Sequence, residues 1–320
     1  MKILAYRFSA LGDVAMIVPA LKEFLIQNPK EEIVFVSREA YADLFSGIER
    51  LSFRGVNLDD YKGLLGLRKL AKTLNQEINP TYIADLHSVH RSRILNLFFR
   101  LYGKKTATID KGRKEKKQLT RKENKIKKQL KTTIERYADV FRKLGFSLEL
   151  SHQLPQNSFQ KKGIGFAPFA QHESKMLPLE KSLELLKILA KKQPVFLFGG
   201  GKHEVEVLNK WEKEVENVTS FAGKLTLKEE LQKIAELKVM VSMDSANMHL
   251  ASLVGTRCIS IWGGTHHFAG FLGYGQSEKD IIDIPDLECR PCSVFGKKEC
   301  FRGDFACLTL LDVSKVLSKI

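Results

Sequence analysis

Four short segments carry residue types that chemistry can use, each where an apolar strand-like run gives way to helical spacing. In RFSALGDVAMIVPAL, residues 7–21, the apolar run ends near Phe8 and helical spacing starts near Val14. Asp13 then stands at a helix N-terminus, where it caps the helix or, as a carboxylate, accepts a proton from an incoming hydroxyl. In GFAPFAQHESKMLPLE, residues 165–180, a strand leads into a loop holding Lys175, and Pro178 opens the next helix. Such a lysine neutralises a phosphate as a flexible point charge, although one loop lysine among 52 Lys and Arg says little by itself. In FGGGKHEVEVL, residues 198–208, three glycines allow close backbone approach to a ligand, and Glu204 falls in the first helical turn. This run lacks both the G-x-G-x-x-G dinucleotide fingerprint and the Lys-Ser/Thr end of a P-loop, which speaks against an oxidoreductase or a P-loop kinase.

The fourth segment, VMVSMDSANMHLASLVGT, residues 239–256, is the most informative. An apolar strand ends at Asp244 and Ser245, and a helix carrying His249 begins at once. Exposed N–H groups and the positive end of the helix dipole suit a diphosphate. The plainer alternative is that Asp244 and Ser245 cap the helix and His249 packs in the core. Further on, Cys289, Cys292, Cys300 and Cys307 form a C-x2-C-x7-C-x6-C set. Four thiolates can hold a structural zinc, but the second C-x2-C pair of common zinc ribbons is missing. Zinc, disulfides and free packed thiols all stay open, while Cys258 lies in an apolar strand and reads as core.

These segments need a scaffold that ends many strands on one side. Strand-like runs at 2–7, 33–37 and 82–86 alternate with helical spacing at 14–27 and 64–78. The second half repeats the pattern, with strands at 163–167, 195–198, 239–243 and 258–262 and helices at 179–191, 204–215, 227–237 and 245–254. Such alternation predicts α/β architecture: two Rossmann-like, doubly wound parallel sheets facing across a cleft. The polar, Pro155-containing stretch around 151–162 separates residues 1–155 from 156–320. Length and a 43% hydrophobic content suit two cores of ordinary size. No apolar run approaches the roughly 20 residues that span a bilayer, and Arg7 and Asp13 interrupt any signal peptide, so a cytoplasmic location with reduced cysteines is expected.

Charge is unevenly placed. Residues 104–131 hold 13 Lys or Arg against three acids, or ten of the chain's net fifteen positive charges. Such a run is either a solvated loop or a surface for polyanions. No aromatic residue lies within it to stack on bases, so an anionic lipid surface or a phosphorylated glycolipid is expected rather than nucleic acid.

Taken together and in order, the segments resemble the heptosyltransferase family of bacterial lipopolysaccharide assembly, glycosyltransferase family 9. RFSALGDVAMIVPAL resembles its N-terminal signature and FAGKLTLKEELQKIAELKVMVSMDSANMHLASLVGT its long C-terminal one. The resemblance implies a glycosyltransferase-B fold and an inverting, metal-independent transfer without a cofactor. The first domain takes the acceptor and the second the donor. The implied donor is an ADP-heptose, and the acceptor a lipid A-linked oligosaccharide at the inner membrane, met by a peripherally associated cytoplasmic enzyme. It further implies Asp13 as general base, Lys175 and the amides of Ser245 and Ala246 on the diphosphate, Glu204 on the nucleoside, and Asp244 and His249 orienting the donor. Departures are Lys175-Met176-Leu177-Pro178 where a Trp commonly precedes the proline, Ala170 and Gln171 where small hydroxyl residues occur, and Asp-Ser-Ala-Asn for Asp-Ser-Gly-Pro. They bear on which sugar is used. Another nucleotide sugar on the same fold, or an inactive scaffold binding anionic glycolipid, are the alternatives.

Overall fold

The computed structural model describes all residues, Met1–Ile320. Contacts divide the chain into two compact units, Met1–Lys111 with Thr133–Ser151, and Gly112–Thr132 with His152–Ile320. Most of the basic segment therefore belongs to the second unit, whereas the sequence places it in the first half. The reason is local packing. Lys116 is buried with its ammonium 4.1 Å from the Phe271 ring centroid, Lys125 donates to the Cys289 carbonyl at 2.8 Å, and the Leu130 amide donates to the Phe268 carbonyl.

The first unit runs β1 (Lys2–Tyr6), α1 (Leu11–Ala15), α2 (Ile17–Gln27), β2 (Glu32–Ser37), β3 (Leu51–Gly55), α3 (Gly63–Ile78), β4 (Tyr82–Asp85), α4 (His90–Leu101) and β5 (Lys105–Thr108). Helix α5 (Arg113–Leu119) then sits in the second unit, and α6 (Thr133–Leu144) returns to the first. The five strands are parallel in the order β3-β2-β1-β4-β5. β1 is central and almost wholly buried, as its continuous apolar run requires. β3 and β5, absent from the sequence reading, are edge strands with alternating or partial burial, so they lack that run.

The second unit continues with β6 (Ile164–Ala167), α7 (Leu179–Ala190), β7 (Val195–Leu197), α8 (Lys202–Glu214), β8 (Val218–Ser220), α9 (Leu227–Ala235), β9 (Val239–Met243), α10 (Ala246–Leu253), β10 (Cys258–Ile261), β11 (Ile281–Ile282), α11 (Ala306–Thr309) and α12 (Ser314–Leu317). Its sheet has the parallel order β11-β10-β9-β6-β7-β8. Capping fixes where α9 begins: Thr226 Oγ1 accepts the Glu229 amide at 3.3 Å, and the Glu229 carboxylate accepts the Thr226 amide at 2.8 Å. No helix is long and apolar enough to cross a membrane.

Each sheet reverses its strand order once, between β1 and β4 in the first unit and between β6 and β9 in the second. In doubly wound sheets ligands collect beyond the carboxyl ends of the strands at such points. Asp13 follows β1, Lys175 follows β6 and Asp244 follows β9, so three expected site residues stand at these reversals.

Candidate active site

In the first unit Asp13 lies in the first turn of α1, which starts at Leu11, earlier than the helical spacing suggests. Its Oδ2 accepts the Ala10 amide at 3.4 Å and pairs with the Arg7 guanidinium at 2.6 Å. Arg7 is buried and donates also to the Leu86 carbonyl at 3.0 Å. This leaves Oδ1 without a hydrogen bond on a side chain 27% exposed, so one oxygen is anchored and the other can meet a ligand. Capping and catalysis are thus compatible in the same carboxylate.

Beside it, fully buried Asp85 ends β4. It accepts the amides of His87 and Ser88 at 2.9 Å, and takes Ser92 and Asn96 side-chain donors at 3.0 and 2.9 Å. These bonds fix the turn that carries His87. Burial, with Arg7 and Lys111 nearby, pushes the His87 imidazole down to about 3, so it is neutral at ordinary pH. Arg7 and His87 escaped the sequence reading as site residues; the only signal was a polar residue at the carboxyl end of an apolar strand.

In the second unit Lys175 ends a short 3-10 turn, Glu173–Lys175, and its ammonium meets Asp244 Oδ2 at 3.0 Å. Asp244 is buried and accepts a second bond on that oxygen from Thr265 Oγ1 at 2.7 Å. Ser245 is the residue before α10, and Ala246 begins it. Amides in a first helical turn have no carbonyl of their own helix to bond, so they stay available to an anion. His249 lies buried on the same helix. Lys175, Asp244, Ser245 and Ala246 thus share one loop edge. Glu204 stands one strand further, after β7, and its carboxylate accepts the Gly200 and Gly201 amides at 2.9 and 3.3 Å, capping α8. Glycine is needed beside the lysine: Gly296 has φ +84, and a methyl group there would meet Lys175 Cδ at 2.8 Å.

The five cysteines are free. No three of the four C-terminal sulfurs lie mutually within 4.8 Å, as a shared zinc would need; the group that meets that spacing is His266, His267 and Asp283. Cys307 instead packs in the apolar core, where burial pushes its thiol up to about 12, and burial also raises Cys292. None of the four forms a disulfide; Cys292 and Cys307 are buried, while Cys289 and Cys300 are half-buried. The histidine group is ill suited to a cation as well. His266 Nδ1 accepts the Phe268 amide at 3.1 Å, which puts the neutral ring's proton on Nε2, and Asp283 is paired with Arg290 at 2.9 Å.

Comparison with known proteins bears on the family and the fold. Residues 69–300 match the family model for glycosyltransferase family 9 (heptosyltransferase). A curated relative, lipooligosaccharide heptosyltransferase 2 of Campylobacter jejuni, is 26% identical over 183 residues, and the match spans 56% of each chain, little more than half of the relative's length. Among solved structures, the E. coli heptosyltransferase WaaC with ADP superposes with a TM-score of 0.70 at 20% identity, over 100% of this chain and 98% of that one. A family 9 glycosyl transferase from Veillonella parvula gives a TM-score of 0.75 at 16% identity, over 99% and 95%. These structures share the fold of two parallel-sheet α/β domains. With a family match over more than two thirds of its length, the chain belongs to glycosyltransferase family 9, the heptosyltransferases.

Proposed function

We propose that this protein transfers a heptose from an ADP-heptose donor to a lipopolysaccharide or lipooligosaccharide core acceptor, with inversion at the anomeric carbon. The observation that carries the reading is the pairing of Lys175 with Asp244 at the β6/β9 reversal, beside the N-terminus of α10. The acceptor hydroxyl oxygen attacks the anomeric carbon while the bond to the donor diphosphate breaks. Its proton passes to Asp13, whose Oδ1 is open while Arg7 holds Oδ2. The charge left on the diphosphate goes to Lys175 and the amides of Ser245 and Ala246, which are in place before the reaction starts. Glu204 takes the nucleoside, and Asp244 and His249 orient the donor.

A thermal-shift comparison of ADP, UDP, GDP and CMP tests the donor class. ADP at about 100 times its dissociation constant should add roughly 2.7 kcal/mol of stability, while the others shift the melt far less. An equal or larger shift with UDP would move the assignment to another nucleotide sugar.

We further infer a peripheral seat on an anionic membrane surface, supported by charge and exposure. Lys114, Lys117 and Lys122 are exposed, whereas Lys116 is buried against Phe271 and takes no part. Each exposed lysine near such a surface contributes on the order of 1 kcal/mol. Replacing these three by Gln should cut binding to vesicles containing anionic lipid by about 100-fold, and the parent's binding should itself weaken steeply with salt. Vesicle binding equal to the parent's would remove the dock from the model of function.

A further inference from the structure

We propose that Thr265 is a positioning residue of the donor site, which sets how Asp244 shares its carboxylate with Lys175; the role rests on the nucleotide-diphosphate reading above. Thr265 follows β10 and is almost fully buried. Its hydroxyl donates to Asp244 Oδ2 at 2.7 Å, the same oxygen that meets Lys175 Nζ at 3.0 Å. Two donors on one carboxylate oxygen compete. With the hydroxyl holding part of that oxygen, the ammonium is placed by Asp244 without being captured by it.

The threonine is itself held from behind. Its carbonyl accepts Arg290 Nη2 at 3.1 Å, and Arg290, 1% exposed, also donates to the carbonyls of Trp262, Gly263 and Ile284. The same loop is tied to the lysine turn: the Gly264 amide donates to the Ser174 carbonyl at 2.7 Å. A methyl group on Gly263 would meet that carbonyl at 2.7 Å. Neither Thr265 nor Lys175 can therefore drift without the other. A side chain locked in this way, with one hydroxyl aimed at the charged pair, is suited to hold the lysine where a phosphate arrives.

Without the hydroxyl, Oδ2 of a buried carboxylate keeps Lys175 as its sole donor. The pair tightens, and less of the ammonium is offered to a diphosphate. The test compares T265V, which keeps the shape, with T265S, which keeps the hydroxyl, by calorimetric titration with ADP and with adenosine. T265V should bind ADP about tenfold more weakly, in the range of one hydrogen bond to a charged group, while adenosine affinity stays unchanged. T265S should bind ADP like the parent, and T265V added to K175A should cost nothing further. An unaltered ADP affinity in T265V, or an equal loss for ADP and adenosine, overturns the role. A loss shared by T265S overturns it as well. A parent protein that binds no ADP overturns the donor reading, and the role falls with it; a parent that binds ADP beside an unaltered T265V sinks this role alone.

Discussion

Asp13→Asn is expected to lower transfer by about 10²–10⁴-fold, the usual worth of general-base catalysis, with ADP affinity unchanged. The amide keeps the size of the side chain and can still accept the Ala10 amide, but its nitrogen or oxygen cannot take the acceptor's proton. ADP affinity should hold because Lys175, Asp244 and the α10 terminus lie in the second unit, while Asp13 lies in the first. The substitution also leaves the buried Arg7 guanidinium without its anion, so some loss of thermal stability is expected in the first unit. Single-turnover transfer and ADP titration on the same sample separate the two effects. A variant that transfers at more than about a tenth of the parent's rate removes Asp13 from the chemistry. One that has lost ADP binding and secondary structure together supports a capping role and nothing more.

How far the site could be read ahead of the structure depended on how local each signal was. Asp13 and Asp244 could be singled out because each follows an apolar run and stands at the start of a helix, a pattern contained within about ten residues; Lys175 lies in the loop between β6 and α7 and was picked out only by the order of the segments around it. The central strands were legible for the same reason: β1 and β9 are buried along nearly their whole length and read as continuous apolar runs. Thr265 and Arg7 were not legible as partners, since their meaning lies in pairs. Thr265 meets Asp244 across 21 residues, and nothing in WGGTH marks that threonine apart from others. The placement of 112–132 with the second unit was hidden likewise. It rests on Lys116 over Phe271 and Lys125 on Cys289, contacts that a charge count does not reveal. For the cysteines, spacing showed four thiols close along the chain but not that Cys292 and Cys307 are buried while Cys289 and Cys300 are half-buried.

Lys175→Ala is expected to weaken ADP binding by about 10- to 150-fold, the equivalent of one charge-assisted hydrogen bond at roughly 1.5–3 kcal/mol. The loss has two sources that point the same way. On the proposed donor site the diphosphate loses a side-chain cation, and Asp244, buried and now without its ammonium, keeps only the Thr265 hydroxyl and presents net negative charge toward the incoming phosphates. Lys175→Arg should recover only part of the affinity, since the planar guanidinium is larger than an ammonium and Gly296 already sits against the lysine stem. Removing the carboxylate as well separates the two sources. In Lys175→Ala with Asp244→Asn the repulsion is gone, so ADP affinity should recover partway toward the parent's while the missing cation still costs. The rate of transfer at saturating donor should also fall in Lys175→Ala, because the lysine meets charge that grows as the diphosphate departs. Titration with ADP and adenosine, followed by single-turnover rates at saturating donor, reads each effect in turn. ADP affinity and transfer rate both equal to the parent's would make Lys175 a buried structural partner of Asp244 and leave the diphosphate to the α10 amides alone.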